Sequence, residues 1–244
     1  VQLYPHHVEA VRALGYEVDA VSPWKWTPEL LAQYDAVFIF ESTSQSFWIP
    51  LNGDAKGKAA FQKMITDYAQ AGGSVFLQTY TGWTAGAIGV SILSLGPEWL
   101  GVKLRIRDYP YDPKSCGFDD PRQAIVSPVA ESPLAQGVDK VQLSCISSFG
   151  RTSKGKQWLK PAVAIVPQSD RLVMATGEMC KGRFFISGDA LAFQPFRIEC
   201  ANNAELLLNA VGWLLRQEVT NEMRKDFRKN LFVTTELLKE IETP

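Results

Sequence analysis

Residues 74–89, SVFLQTYTGWTAGAIG, constrain the fold more than any other stretch of the chain. The pair Gly72-Gly73 releases the backbone into the apolar run 75–77. A polar turn, Gln78-Thr79-Tyr80-Thr81-Gly82, follows, and a helix-like segment comes next. Strand, tight turn and helix is how an α/β protein presents a side chain at the carboxyl edge of its sheet, where ligands bind. Enzymes built this way often carry a Ser or Cys nucleophile between glycines at the apex. Here the apex is Tyr80, so the scaffold has the shape of an active site without the usual nucleophile.

The flanking sequence supplies the rest of an alternating pattern. Residues 1–4 form a short alternating run, the tail of a first strand. Pro5-His6-His7 then opens a helix, with Val8, Val11, Ala13 and Leu14 at helical spacing and Gly15 as its stop. Residues 16–21 have strand character, Trp24-Lys25-Trp26 is a loop, and Thr27 caps a short helix that starts at Pro28. The run 36–40 is apolar throughout, as a strand buried on both faces requires, and it ends abruptly in Glu41-Ser42-Thr43-Ser44. Over 54–71, Phe61, Met64, Ile65 and Tyr68 make one apolar helix face. Four β-α alternations in the first hundred residues predict an α/β fold with an open, mostly parallel sheet and helices on both faces.

Helical character over part of 87–100 gives way to an irregular stretch, 101–122, rich in Pro, Asp and Tyr. It is expected to be a long loop or an excursion from the sheet. Residues 123–127, 141–145, 162–166, 171–176 and 183–187 have strand patterns, the last two joined by a hairpin connection over 177–182. Residues 202–215 form a strongly apolar helix. A final helix, 221–242, lies past the natural end of the α/β unit, so the chain divides into an α/β domain, 1–217, and a helical extension, 218–244. The extension mixes charge with Leu231, Phe232, Leu237, Leu238 and Ile241, and is expected to pack on a second copy of the chain.

At 244 residues the chain is long enough for a full core. Its net charge of -1 gives no electrostatic reason to expect nucleic acid or an anionic membrane as partner. No apolar run approaches the roughly 20 residues of a membrane-spanning helix. The four cysteines, Cys116, Cys145, Cys180 and Cys200, form no C-x-x-C pair and have no histidine nearby in sequence. Reduced thiols in a cytoplasmic protein are the simpler expectation, and disulfides in an exported chain the other. The chain begins at Val1, so residues upstream, a leader included, are compatible with the sequence.

Topology gives a list of candidate site residues, because the residues just after parallel strands converge on one edge. These are His6 and His7, Trp24 and Trp26, Glu41 and Ser42, Tyr80 with Trp83, and Asp189. Asp189 and Glu41 form a candidate acid–base pair, which needs one carboxyl kept protonated by burial or by the other's charge. Their competing role is to cap following turns through backbone N–H groups. Adjacent histidines on a helix point about 100° apart, so His6 and His7 do not readily share one ion. A single His with Glu41 and Asp189 around a divalent metal is the alternative, although no ligand-spacing motif supports it. Tryptophans in edge loops can stack on sugars or other flat ligands, or else lid the core. The cations of the irregular stretch (Arg105, Arg107, Lys114 and Arg122) could bind an anion or form a solvated face. Gly-rich phosphate fingerprints do not occur.

The segments LGYEVDAV, ELLAQYDAVFIFEST, DYAQAGGSVFLQTYTGW, KGRFFISGDALAF and LLLNAVGWLL occur in an order and spacing that resembles the class I glutamine amidotransferase-like superfamily. Within it, the chain looks closest to an uncharacterised bacterial family of glutamine amidotransferase-like proteins. The resemblance runs to about Arg216 and implies a flavodoxin-like sheet with the ligand cleft at its carboxyl edge. Members of the superfamily use a Cys in a G-x-C-x-G elbow with a His and a Glu behind it, and the thiolate attacks the glutamine amide. The matching elbow position here is Tyr80, and the late strand ends in Gly188-Asp189-Ala190-Leu191-Ala192-Phe193 without a histidine. The expectation is therefore a protein lacking the Cys-His-Glu triad that binds a small molecule or acts as a scaffold and self-associates. The alternative is a hydrolase or lyase acting on a carbohydrate-like substrate through Asp189 and Glu41.

Overall fold

A computed structural model describes residues 5–22, 25–40, 55–78, 97–105, 123–144, 148–165, 169–189, 192–194 and 197–242. Helix α1 spans Pro5–Ala13 and ends at Gly15, whose φ of 85° is the left-handed conformation that a glycine stop accommodates. Helix α2, Pro28–Leu31, begins at Thr27, whose Oγ accepts the N–H of Leu30 at 3.2 Å as the sequence predicts. Strand β1 is Ala36–Ile39, helix α3 is Ala55–Ala71 and strand β2 is Ser74–Gln78. A 3-10 turn, Pro97–Leu100, leads into β3, Val102–Arg105. After it come β4 (Gln123–Val126), β5 (Val141–Ser144), β6 (Ser148–Arg151), α4 (Ser153–Trp158) and β7 (Leu159–Ala164). Strands β8 (Leu172–Met179) and β9 (Gly182–Ser187) precede two helices, α5 (Asn203–Leu215) and α6 (Asn221–Glu242).

The fold is mixed α/β. Its main sheet runs β1-β2-β9-β8-β6-β3, with β7 paired to β8, and β4 and β5 form a separate two-stranded ladder. Strands β1, β2 and β9 are parallel, with Val37 opposite Val75 and Val75 opposite Phe184. From β9 outward the pairing is antiparallel, which corrects the expectation of a mostly parallel sheet. The cause is local: Met179 pairs with Gly182, so only Cys180 and Lys181 connect β8 to β9, and a link that short can only reverse the chain.

Three other expectations change. Residues 16–22 form no strand among the described residues; Val18 is 38% exposed, and Asp19 accepts a hydrogen bond from the Tyr34 hydroxyl at 3.1 Å. The irregular stretch begins with the regular strand β3, and β6 and α4 are elements without a clear sequence pattern. The readings on residues 1–4, on 41–44, on 79–96 and on 106–122 lie outside the described residues.

The buried side chains form two clusters. One joins α1, α5 and the start of α6 to Phe76, Val173 and Phe185. The other joins Leu31, Phe61 and Ile65 to Val37, Ile39, Val75, Leu77 and Phe184. Alternate residues of β2 thus serve different clusters, as a pleated strand requires. The first half of α6 belongs to its own chain's core. Phe227 and Leu231 are buried, Arg228 pairs with the buried Glu205, and Arg224 donates to Asn209 Oδ1 at 2.8 Å.

Candidate functional site

The amino end of α1 lies against the carboxyl ends of the parallel strands. His7 is within ring contact of Phe40, just past β1, with centroids 4.7 Å apart, and of Phe76 in β2 at 5.2 Å. Phe193, beyond β9, completes the enclosure at 5.7 Å, and all three phenyl rings meet the imidazole edge-on. His6 is also fully buried, and among the described residues neither of its ring nitrogens has a hydrogen-bond partner.

Burial disfavours the charged form of both rings. His6 is pulled down from the ordinary 6.5 to about 4. His7 falls to about 3, through burial first and then the neighbouring His6, with a side-chain hydrogen bond to Gln78 acting in the opposite direction. Both are neutral imidazoles at physiological pH, each able to offer one N–H and one lone pair.

Gln78 is the last residue of β2 and sits opposite Ser187, the last of β9. Two residues on, Asp189 is buried and its Oδ1 accepts the N–H of Ala192 at 3.1 Å. Ser187 Oγ donates to the Asp189 carbonyl at 3.0 Å, and the Asp189 N–H reaches the same hydroxyl oxygen at 3.2 Å. Asp189 therefore caps the turn that carries Phe193 to His7, the capping role weighed against acid–base work from sequence.

Asn203 holds this turn to the rest of the molecule. Its Nδ2 reaches the carbonyls of Gln142 (2.9 Å), Ala192 (2.9 Å) and Arg197 (3.0 Å), and its Oδ1 accepts the Gln142 N–H at 2.9 Å. One buried amide thereby ties β5, the Asp189 turn and the start of α5 together.

Of the residues named from sequence, the structure brings His6, His7 and Asp189 to one edge. Trp26 goes elsewhere. It stacks on Phe61 at 5.8 Å, donates its indole N–H to the Val21 carbonyl at 3.2 Å and packs on the other buried cluster, so it is committed to covering the core. Glu41, Ser42, Tyr80, Trp24 and Trp83 lie outside the described residues. Sequence reasoning missed Gln78, Phe40, Phe193 and Asn203. The one local signal was Gln78, a polar residue closing an otherwise apolar strand. Among the described residues no group of three or more His, Cys, Asp or Glu side chains could hold a metal ion. Cys180 is exposed in the β8–β9 turn, at the opposite end of β9 from Asp189. No helix among the described residues is long and apolar enough to cross a membrane.

No protein-family model matches the chain, and no curated protein matches it. Solved structures do. The cytoplasmic protein STM1381 from Salmonella typhimurium LT2 aligns over 88% of this chain and 88% of its own, with a TM-score of 0.57 at 15% identity. The mmIFT52 N-terminal domain aligns over 80% of this chain and 83% of its own, with a TM-score of 0.53 at 13% identity. The cytoplasmic protein STM3548 from Salmonella typhimurium aligns over 86% and 85%, with a TM-score of 0.50 at 14% identity. At such identities the likeness is one of fold.

Proposed function

We propose that this chain is a class I glutamine amidotransferase-like protein without glutaminase chemistry. On this proposal it binds a small molecule at the carboxyl edge of β1, β2 and β9, and it self-associates through the distal part of α6. The flavodoxin-like arrangement, with helices on both faces of the sheet, is supported by the division of β2 side chains between two clusters, one containing α1 and α5 and the other α3.

The observation that carries the binding role is His6. A buried polar nitrogen without a partner costs about 1–3 kcal/mol, a cost that a bound polar group would relieve. Its neutral ring favours an uncharged polar ligand, which would accept from or donate to the imidazole beside the phenyl edges. The engagement of Asp189 as a turn cap favours binding over acid–base chemistry. Self-association is supported by the sequence of α6 past the intramolecular core, where Leu237, Leu238 and Ile241 continue the apolar pattern.

The test combines two assays on the full chain. Ammonia release from glutamine is expected to stay at background. A thermal-shift panel of neutral sugars, amides and nucleosides should give at least one ligand that raises the melting temperature of wild type and not of His6→Leu. Glutamine-dependent ammonia release that a Cys→Ser substitution abolishes would overturn the proposal, as would a panel in which every hit stabilises His6→Leu equally. Sedimentation of the full chain is expected to show a dimer or larger species; a monomer at micromolar concentration would remove the self-association part.

A further inference from the structure

At the other end of β9 a second site is built around two guanidinium groups. Arg183, the second residue of β9, lies over the Trp213 ring with its Cζ 3.9 Å from the centroid. Its Nε donates to Glu178 at 3.0 Å and its Nη1 to the Trp213 carbonyl at 2.8 Å, so the group is fixed before any ligand arrives. Arg216 stands at the carboxyl end of α5, where its Nη2 donates to the Lys181 carbonyl. Both arginines, with Trp213, line a cleft of about 270 Å³.

Arg216 is the informative residue. It caps α5 with φ 58°, the left-handed conformation that helix ends ordinarily assign to glycine. A long cationic side chain occupies a position where the backbone favours having none. Of five N–H donors on each guanidinium, Arg183 commits two and Arg216 one. The Trp213 indole N–H is likewise without an acceptor among the described residues. Glu178 pairs with Arg183 and Glu218 lines the cleft, so what these guanidinium groups hold out to a ligand is their uncommitted N–H donors, which suit oxygen acceptors.

We infer that this cleft binds a small oxyanion, a carboxylate or phosphate group held by Arg183 and Arg216 beside Trp213. The site lies roughly 15–20 Å from the imidazoles, the length of a six-residue strand, and does not depend on the function proposed for them.

The experiment is an NMR titration of the full chain with acetate and, separately, inorganic phosphate, at constant ionic strength set with sodium chloride, following the Trp213 indole N–H. One or both anions should shift that resonance saturably with millimolar affinity, and the stronger of the two identifies the source of the oxyanion. Arg216→Gly should weaken binding at least about tenfold, a loss of about 1.4 kcal/mol, while melting no lower than wild type because glycine fits that backbone. Arg216→Gln, which keeps the backbone conformation and removes the charge, should lose binding to a similar degree. An indole resonance that neither anion moves, or equal binding by wild type and both variants, would overturn the inference. So would an Arg216→Gln variant that binds as wild type.

Discussion

Asn203→Ala is expected to destabilise the protein by roughly 3–5 kcal/mol, a fall of about 10 °C in melting temperature for a chain of this size. The substitution strips partners from the Gln142 N–H and from the carbonyls of Gln142, Ala192 and Arg197, all tied to a side chain with no solvent exposure. Water cannot readily reach the Gln142 and Ala192 groups, so each of these bears a desolvation cost. Asn203→Asp should be worse than alanine, although it is nearly isosteric. It keeps the acceptor for Gln142 but turns the donor that faces three carbonyls into a second acceptor. Chemical denaturation of the three proteins, compared at equal m-value, measures both effects. An alanine variant within 1 kcal/mol of wild type would mean that the amide is not the tie between the Asp189 turn and the sheet.

Acid should weaken the fold well before most carboxylates titrate. His6 and His7 have folded pKa values of about 4 and about 3, below the ordinary 6.5 that the unfolded chain adopts. Between pH 6.5 and those values the unfolded state binds protons that the native state refuses. The stability contributed by the neutral rings is thus complete above about pH 6.5, falls as pH drops, and levels off below the folded values. Each group contributes about 1.4 kcal/mol per pH unit in that window, so the loss by pH 5 is roughly 4 kcal/mol. His7→Phe, which fills the same aromatic enclosure without a titrating nitrogen, should remove about half of the slope between pH 6.5 and 5. A wild-type denaturation midpoint that is flat over this range would show that the rings are not held neutral.

The parallel half of the sheet was legible because its strands are apolar runs, β2 buried on both faces and β1 alternating buried with half-buried residues, and because its turns carry strong punctuation. The uninterrupted apolar residues of β1 and β2, the glycine stop at Gly15 and the Thr27 cap are all local signals. The antiparallel half was less so. The hairpin expected over 177–182 is present, its turn narrowed to Cys180 and Lys181, so β8 and β9 were expected to be antiparallel; the pairing of β8 with β6 and β7 had no local signal. Residues 16–21 illustrate the opposite error, since strand propensity is weak evidence when no neighbouring strand pairs with the segment.

For the candidate site, chain topology put His6, His7 and Asp189 at one sheet edge because it needed only the order of strands. It could not say that His7 sits in a phenyl cage, since Phe40, Phe76 and Phe193 come from three separate elements. Nor could it place Asn203, whose partners Gln142, Ala192 and Arg197 are far apart in sequence. Trp26 shows why an aromatic residue in an edge loop is ambiguous, as stacking on a ligand and stacking on Phe61 have the same local signature.

The most direct test uses the fact that the chain contains only two histidines. Their ring resonances can be followed by NMR from pH 8 to the onset of unfolding, with each assigned from His6→Gln and His7→Phe. A buried, neutral imidazole pair at the carboxyl edge predicts that both rings remain uncharged at pH 6, with midpoints near 4 for His6 and lower still for His7. Either ring titrating at the ordinary solvent value, about 6.5, while the protein stays folded would place that histidine in water and contradict the site.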